Sequence, residues 1–292
     1  MITSKPIHEI TFDMNNAAAM KTGMILQSRG EFEKKENTVT IISWNVNGLR
    51  ARIKAGFENT IKRLNPDIIC LQETRCTPAQ LPDGFLADYW QCINDHDKAG
   101  YAGVGTWIKK SFCSKDEAWG CAISGENGRA LANTIAGRFN LVNCYTPNAG
   151  LKLERLDHRI AWHQVFLEDL KELQQNGLPL IYTGDLNCAI SPTDVGSKYI
   201  KSGITPQERR EFARINSELG LLDVWRHRNL FRPMFTWFSN QFSSKAVNRG
   251  MRIDYFLLTE ALEPFVKEID ILQDDELVAG SDHQILWMEI EI

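Results

Sequence analysis

The sequence predicts a mixed α/β protein in which packed mixed sheets are covered by helices. Three observations carry this reading. Short apolar runs recur along the chain and repeatedly end in a polar residue followed by glycine or a loop, as buried strands do. Between them lie segments whose apolar residues recur at three- and four-residue steps, the pattern of helices laid on a sheet. The chain has 292 residues, 43% hydrophobic and 24% charged, which is enough to bury a large core as one domain and excludes a disordered or fibrous chain.

Residues 1–38 carry Lys5, Lys21, Arg29, Lys34 and Lys35 against Glu9, Asp13, Glu31, Glu33 and Glu36, with little apolar periodicity, and read as a flexible tail. Its stretch from Met14 to Gly30 has no acidic residue, which leaves an organelle transit peptide open. The catalytic domain is expected over residues 39–292. The first strand is Thr38–Asn45, and a helix follows at about Ile53–Leu64. Further buried strands are Ile68–Glu73 and Leu178–Asn187. Others are expected at Gly103–Lys109, Arg129–Ala136, Phe139–Tyr145, Arg252–Leu258 and Gln284–Ile290. In Leu153–Gln175 the residues Leu156, Ile160, His163, Phe166, Leu167, Leu170 and Leu173 form one apolar stripe. Thr205-Pro206-Gln207-Glu208 supplies an N-cap, a proline at the first helical position and the acid of a capping box, so a helix runs from Pro206 to about Glu218.

The formal net charge of −4 argues against coating nucleic acid by bulk attraction, though it leaves room for a local basic track. Seven cysteines without a C-x-x-C pair or a disulfide rhythm read as reduced thiols in an intracellular protein. No apolar run approaches the roughly 18 residues of a membrane helix, and no secretory signal is evident.

Asn45, Glu73, Asp185 and Asn187 each fall at the end of an apolar run, where open α/β folds place ligands. Taken singly, each also suits an ordinary turn. Asp254 lies inside an apolar strand, where a carboxylate is costly unless paired. Either a histidine or a neighbouring arginine, Arg249 or Arg252, could pair it. Ser281-Asp282-His283 sets a hard oxygen ligand beside a titratable imidazole. No Cys/His zinc spacing is present, and carboxylate and amide ligands favour magnesium or manganese.

These residues sit in eight motifs that follow one another in order. They are Ser43-Trp-Asn45-Val-Asn47-Gly-Leu-Arg50, Leu71-Gln-Glu73-Thr, Gly100-Tyr101-Ala-Gly103-Val-Gly, Cys144-Tyr145-Thr-Pro147-Asn148, Gly184-Asp185-Leu-Asn187, Thr205-Pro-Gln-Glu-Arg209, Arg252-Ile-Asp254-Tyr-Phe-Leu-Leu and Ser281-Asp282-His283. Together they resemble the exonuclease III family of abasic-site (AP) endonucleases, within the deoxyribonuclease I-like phosphodiesterase superfamily. The resemblance runs from Thr38 to the C-terminus. It implies the endonuclease/exonuclease/phosphatase fold, a four-layer α/β sandwich with two packed mixed sheets flanked by helices.

The resemblance also implies a magnesium-dependent hydrolase, with manganese as the alternative ion, acting on double-stranded DNA that carries abasic sites or blocked 3′ ends. Glu73 would be a direct metal ligand, with Asn45 and Asp282 in or near that shell. Asp185 matches the group that activates or orients the attacking water, with Asn187 beside it. His283, held by Asp254, would stabilise the phosphoryl charge or manage a proton. Tyr145 and Asn148 match residues that bond the scissile phosphate. Trp237, Met251 and Ile253 match the lining of a slot for a flipped-out baseless sugar. A polar, basic loop joins Trp237 to Met251. Arg50, Tyr101 and Arg249, with Lys54 and Lys245, are candidates for phosphate contacts that position the duplex.

The reaction expected is cleavage 5′ to an abasic site, leaving a 3′-hydroxyl and a 5′-deoxyribose phosphate, with removal of 3′ blocks and a 3′-to-5′ exonuclease. The competing readings are a lipid or inositol phosphodiesterase of the same superfamily and a catalytically silent DNA-binding paralogue. A monomer without membrane partners is expected. The tail lacks a basic nuclear-localisation cluster, which favours a bacterial cytoplasm over a eukaryotic nucleus or organelle.

Overall fold

The computed structural model describes residues 37–118, 120–196, 201–239 and 244–292. The expected tail lies outside them except for Asn37 and Thr38. Two six-stranded mixed sheets form the centre. The first contains β1 (Thr38–Asn45), β2 (Ile68–Gln72), β3 (Tyr89–Asn94), β4 (Val104–Lys109), β13 (Val266–Leu272) and β14 (Ile285–Glu291), in the order β13-β14-β1-β2-β4-β3. The second contains β5 (Gly120–Ile123), β6 (Ala130–Ile135), β7 (Phe139–Tyr145), β8 (Leu180–Asp185), β9 (Leu221–Asp223) and β12 (Asp254–Thr259), in the order β5-β6-β7-β8-β12-β9. A short hairpin of β10 (Trp237–Phe238) and β11 (Gly250–Met251) stands apart. Each large sheet is built round one parallel pair, β1 with β2 and β7 with β8, with antiparallel neighbours.

The outer layers are helical. Helices α1 (Leu49–Lys54) and α2 (Phe57–Leu64) cover the first sheet, where the Phe57 ring stacks on Trp44 at 5.6 Å. Helix α3 (Leu156–Gln174) and helix α4 (Pro206–Leu219) cover the second. There Trp162, Phe166, Leu170, Phe212 and Leu219 pack on Val142, Tyr182 and Leu257. A short α5 (Val224–Arg228) follows β9.

The space between the sheets explains how an apolar core yields a polar site. Side chains alternate along a strand, so every second residue points inward. The inward file of β1 runs Val39, Ile41, then Ser43 and Asn45. That of β2 runs Ile68, Cys70, then Gln72, and that of β7 runs Phe139, Leu141, then Asn143 and Tyr145. In β8 Ile181 gives way to Thr183 and Asp185, and in the oppositely directed β12 Asp254 comes first and is followed inward by Phe256 and Leu258. All of these files turn polar toward the same end of the sandwich. Buried polar groups there must bond to one another. Gln72 Nε2 donates to Ser43 Oγ at 3.1 Å and, across the sheets, to Asn143 Oδ1 at 2.8 Å. Asn143 Nδ2 donates back to Leu71 O at 3.1 Å and Gly105 O at 2.8 Å.

The expected strands and the helix after Thr205 are present, with ends shifted by a few residues. Other features differ from expectation for physical reasons. The first helix is two helices, because Gly56 adopts φ 107°, which an α-helix cannot accommodate. The strands β3, β5, β9 and β13 are not among those expected. β5 and β9 have four and three residues, too few to show a period, and all four lie at sheet edges, where one side of the strand has no neighbour and the buried pattern is broken. On α3 the buried face includes Arg159, while Leu156 and Ile160 are only half-buried. Arg252 is buried as well and pairs with Asp194 (2.8 Å) and Asp223 (2.7 Å). It does not pair with Asp254, the arginine partnership that the sequence leaves open.

Candidate active site

Six strand ends deliver the polar residues. Asn45, Tyr145 and Asp185 close β1, β7 and β8, and Asp254 opens β12 directly opposite Asp185. Glu73 follows β2 at φ 51°, Asn187 follows β8 at φ 48°, and Asp282 and His283 precede β14. Positive φ at a non-glycine residue is strained and recurs at functional loops.

Asn45 is the hub. Its Nδ2 donates to Glu73 Oε1 at 3.0 Å and to Asp185 Oδ2 at 2.8 Å, while its Oδ1 accepts from the Asn47 backbone at 3.0 Å. Asn47 Nδ2 donates to Asp282 Oδ1 at 2.8 Å, and Trp237 Nε1 donates to Asp282 Oδ2 at 3.1 Å. His283 spans two carboxylates. Its Nδ1 lies 2.9 Å from Asp254 Oδ2, and its Nε2 lies 3.9 Å from Asp185 Oδ2. The Asn187 backbone donates to Asp185 Oδ1 at 3.0 Å, and Asn148 Nδ2 donates to Asn187 Oδ1 at 2.9 Å. Tyr145 bonds Glu73, which also pairs with Arg75.

Charge crowding dominates the electrostatics. Burial, then the Asp254 carboxylate, hold the Asp185 carboxyl well above the usual range, with Glu73 adding to the effect and His283 and Asn45 opposing it. For His283, burial opposes the imidazolium, yet the bonded Asp254 with Asp185 and Asp282 overrides it and raises the ring. Burial also works against charge on Asp282, but His283, Asn47 and Trp237 outweigh it and keep Asp282 below the ordinary carboxylate range. Burial, then Glu73 and Asp185, push the Tyr145 hydroxyl far up, so it remains a donor.

The donor set fits a hard divalent cation. Glu73, Asp185, Asp254 and Asp282 bring four carboxylates together, and His283 and Arg75 are the cations bonded to them. Carboxylate oxygens with amide neighbours suit magnesium or manganese. Among the described residues, the tightest cluster able to hold an ion is Asp185, Asp254 and His283, whose ligand atoms lie within 4.8 Å of one another. Both ring nitrogens of His283 already face carboxylates, so the oxygens of Glu73, Asp185 and Asp282 are the better donors. Asn45 presents its amide nitrogen to the carboxylates and its oxygen to Asn47.

An apolar cluster adjoins this centre. Met251, Ile253 and Ala189 are buried, with Val195, Ile204 and the half-buried Trp237 packed on them. Trp237 also pairs with His283 through an isolated bridge, which ties the cluster to the charged centre. Gly203 passes so close that a Cβ there would stand 2.9 Å from Asn187 O and 3.3 Å from Met251 Cε. Part of the loop between Trp237 and Met251 lies outside the described residues. Arg50, Lys54 and Arg249 are exposed. Lys245 is instead taken up by Asp275. The Tyr101 hydroxyl accepts from Arg129 Nη2 at 3.0 Å, and the Arg129 guanidinium lies 5.2 Å from the ring centres of both Tyr101 and Tyr145. Arg129, like Arg159, is a buried cation that sequence reasoning misses. The one available signal was its place at the start of a buried strand.

Among the described residues, no helix is long and apolar enough to cross a membrane. The sequence pattern of the Endonuclease/Exonuclease/phosphatase family matches residues 42–283. An exodeoxyribonuclease of Bacillus subtilis is 35% identical over 248 residues, covering 83% of this chain and 96% of that protein. A DNA-(apurinic or apyrimidinic site) endonuclease of Dictyostelium discoideum is 31% identical over 95% of this chain and 77% of its own length. Among solved structures, an AP endonuclease from Leishmania major superimposes with a TM-score of 0.78 at 22% identity, covering 93% of this chain and 98% of that one. The site geometry and these matches agree: the chain belongs to the endonuclease/exonuclease/phosphatase family and is a nuclease, a hydrolase of phosphodiester bonds.

Proposed function

We propose that the protein is a magnesium-dependent AP endonuclease that hydrolyses duplex DNA 5′ to an abasic site, leaving a 3′-hydroxyl and a 5′-deoxyribose phosphate. Removal of blocked 3′ ends and a 3′-to-5′ exonuclease would use the same centre. The observation that carries this reading is the adjacency of the Asp185–His283–Asp254 relay to the Trp237, Met251 and Ile253 cluster, joined through Asp282. An apolar wall beside the chemistry suits a sugar without a base, which an ordinary nucleotide would overfill.

The catalytic problem in phosphodiester hydrolysis is charge developing on the phosphoryl and leaving oxygens. A magnesium ion held by Glu73 and Asp282, beside Asn45, would supply Lewis-acid charge there. Asp185 is the candidate to orient the attacking water and take its proton, and its raised carboxyl makes it a stronger base once ionised. Asn187 and Asn148 form a bonded amide pair beside it that can donate to phosphate oxygens. His283, kept protonated by Asp254, faces the same place with positive charge. Tyr145 keeps its proton and can donate to the phosphate.

The test is a labelled duplex carrying one tetrahydrofuran abasic analogue, which has no β-elimination route. Wild type in magnesium should cut on the 5′ side, and EDTA should stop it. Asp185→Asn should lower the rate by roughly 10²–10⁴-fold, the scale of losing a catalytic acid–base group. Folded, metal-loaded protein that leaves this duplex intact but hydrolyses a phosphoinositide or sphingomyelin would replace the reading with a lipid phosphodiesterase.

A further inference from the structure

The two loops that carry Asn148 and Asn187 have irregular backbones, and their carbonyls need partners. Three arginines supply them. Arg155 Nε donates to Asn148 O at 3.0 Å, and Arg209 Nε donates to Ala189 O at 2.8 Å. Between them Arg159, fully buried, donates from Nη1 to Asn187 O at 2.8 Å and Pro147 O at 3.2 Å, and from Nη2 to Leu186 O at 2.8 Å. A buried guanidinium needs a counter-charge, and Glu208, also fully buried, stands 3.5 Å from Nη1. Glu208 does more than cap α4. Its oxygens accept from Gly203 N at 2.9 and 2.8 Å and from Thr205 N at 3.0 Å, and Gly203 O in turn accepts from Ala189 N at 2.7 Å. One ion pair therefore reaches the Asn148 loop, the Asn187 loop and the glycine that backs Met251.

We infer that Arg159 is a positioning residue for the reaction, with Glu208 as its anchor. Its planar fork fixes the backbone on both sides of the Asn148–Asn187 amide pair, so that both side chains meet the phosphodiester without reorganisation. Lysine has the charge but not the fork. Misplacing such loops by about 1 Å costs on the order of 10²-fold in rate while leaving distant binding contacts in place. This inference rests on the proposed reading of the site.

A lone Arg159→Met strands the Glu208 charge in the interior, so two gentler variants test the idea. Arg159→Lys keeps the charge, and the pair Arg159→Met with Glu208→Gln removes both charges while retaining an acceptor for Gly203 and Thr205. For each, the readouts are the melting temperature, the affinity for the tetrahydrofuran duplex in EDTA, the single-turnover cleavage rate in magnesium, and amide hydrogen exchange at Leu186–Ala189. The expected result is near wild-type duplex affinity, a rate lowered on the order of 10²-fold, and faster exchange at Leu186–Ala189, including in the double variant with its recovered melting temperature. A rate that recovers together with the melting temperature would overturn the positioning role. If wild type itself spares abasic duplex, the functional reading fails, and exchange alone then decides: loosening confined to Leu186–Ala189 upholds the strut, and unchanged exchange there overturns it.

Discussion

His283 has both ring nitrogens committed, one to Asp254 at 2.9 Å and one toward Asp185 at 3.9 Å. That arrangement fixes what each residue can do. With Nδ1 bonded to a buried carboxylate, the imidazolium is favoured, and in the proposed reaction Nε2 would be the proton-bearing atom facing the phosphodiester. Asp254 then acts through His283, so removing either should disable the same function. Asp254→Asn and His283→Gln should each lower the single-turnover rate by roughly 10²–10⁴-fold. The double variant should be no slower than the worse single one, since groups that act as a unit are not additive. Kinetics of the three variants on abasic duplex in saturating magnesium would check this. Losses that multiply would mean that the two residues serve separate steps.

Helix α3 shows the same economy at the scale of an element. Its C-terminal turns bury Phe166, Leu167 and Leu170 on the second sheet, and its first turns carry Arg155 and Arg159 to the site loops. His163 lies between, buried, with Nδ1 unpartnered among the described residues. Burial, then Arg159 and Arg214, hold its pKa well below the ordinary value of 6.5. The group is neutral in the fold and takes up a proton more readily when unfolded. Its contribution is therefore complete above pH 6.5 and is lost as pH falls from there toward the folded value. His163→Leu should flatten the acid limb of a urea-midpoint titration below pH 6.5 by up to about 1.4 kcal/mol per pH unit. An unchanged limb would place the acid sensitivity elsewhere. Elements such as α4, with its capping box, and the apolar runs of β1, β2, β7, β8 and β12 are legible in the sequence because local pattern and tertiary placement agree. Arg159 and Arg129 are not, because a cation on an amphipathic element reads as solvent-facing until the carbonyls or rings it serves are in view. Edge strands as short as β9 offer no period to read.

At the scale of the molecule, the polar centre belongs to neither sheet alone. Glu73, Asn45, Asp282 and His283 come from the first sheet and its loops, while Tyr145, Asp185, Asn187 and Asp254 come from the second. The pairings that define the site, Asn45 with Asp185 and His283 with Asp254, cross between them. The residue types at the strand ends were readable one by one, but which strand would face which was not, since that depends on how two sheets stack. Below the site the crossing is fixed by Asn143 of β7, bonded to Gln72, Leu71 and Gly105 of the first sheet. A bonded polar pair specifies a relative position, whereas apolar packing alone tolerates small slides. Asn143→Leu keeps the branched shape of the side chain and strands the polar groups it served, at a cost on the order of 1–3 kcal/mol for each one left unsatisfied. The urea midpoint should fall with the m-value unchanged, as expected for lost stability without lost compactness. The cleavage rate should fall too, although no site residue is touched, because the carboxylates of one sheet lose their placement against the imidazole of the other. Full activity in a destabilised Asn143→Leu protein would mean that the apolar core aligns the sheets unaided and that the buried amides serve stability alone.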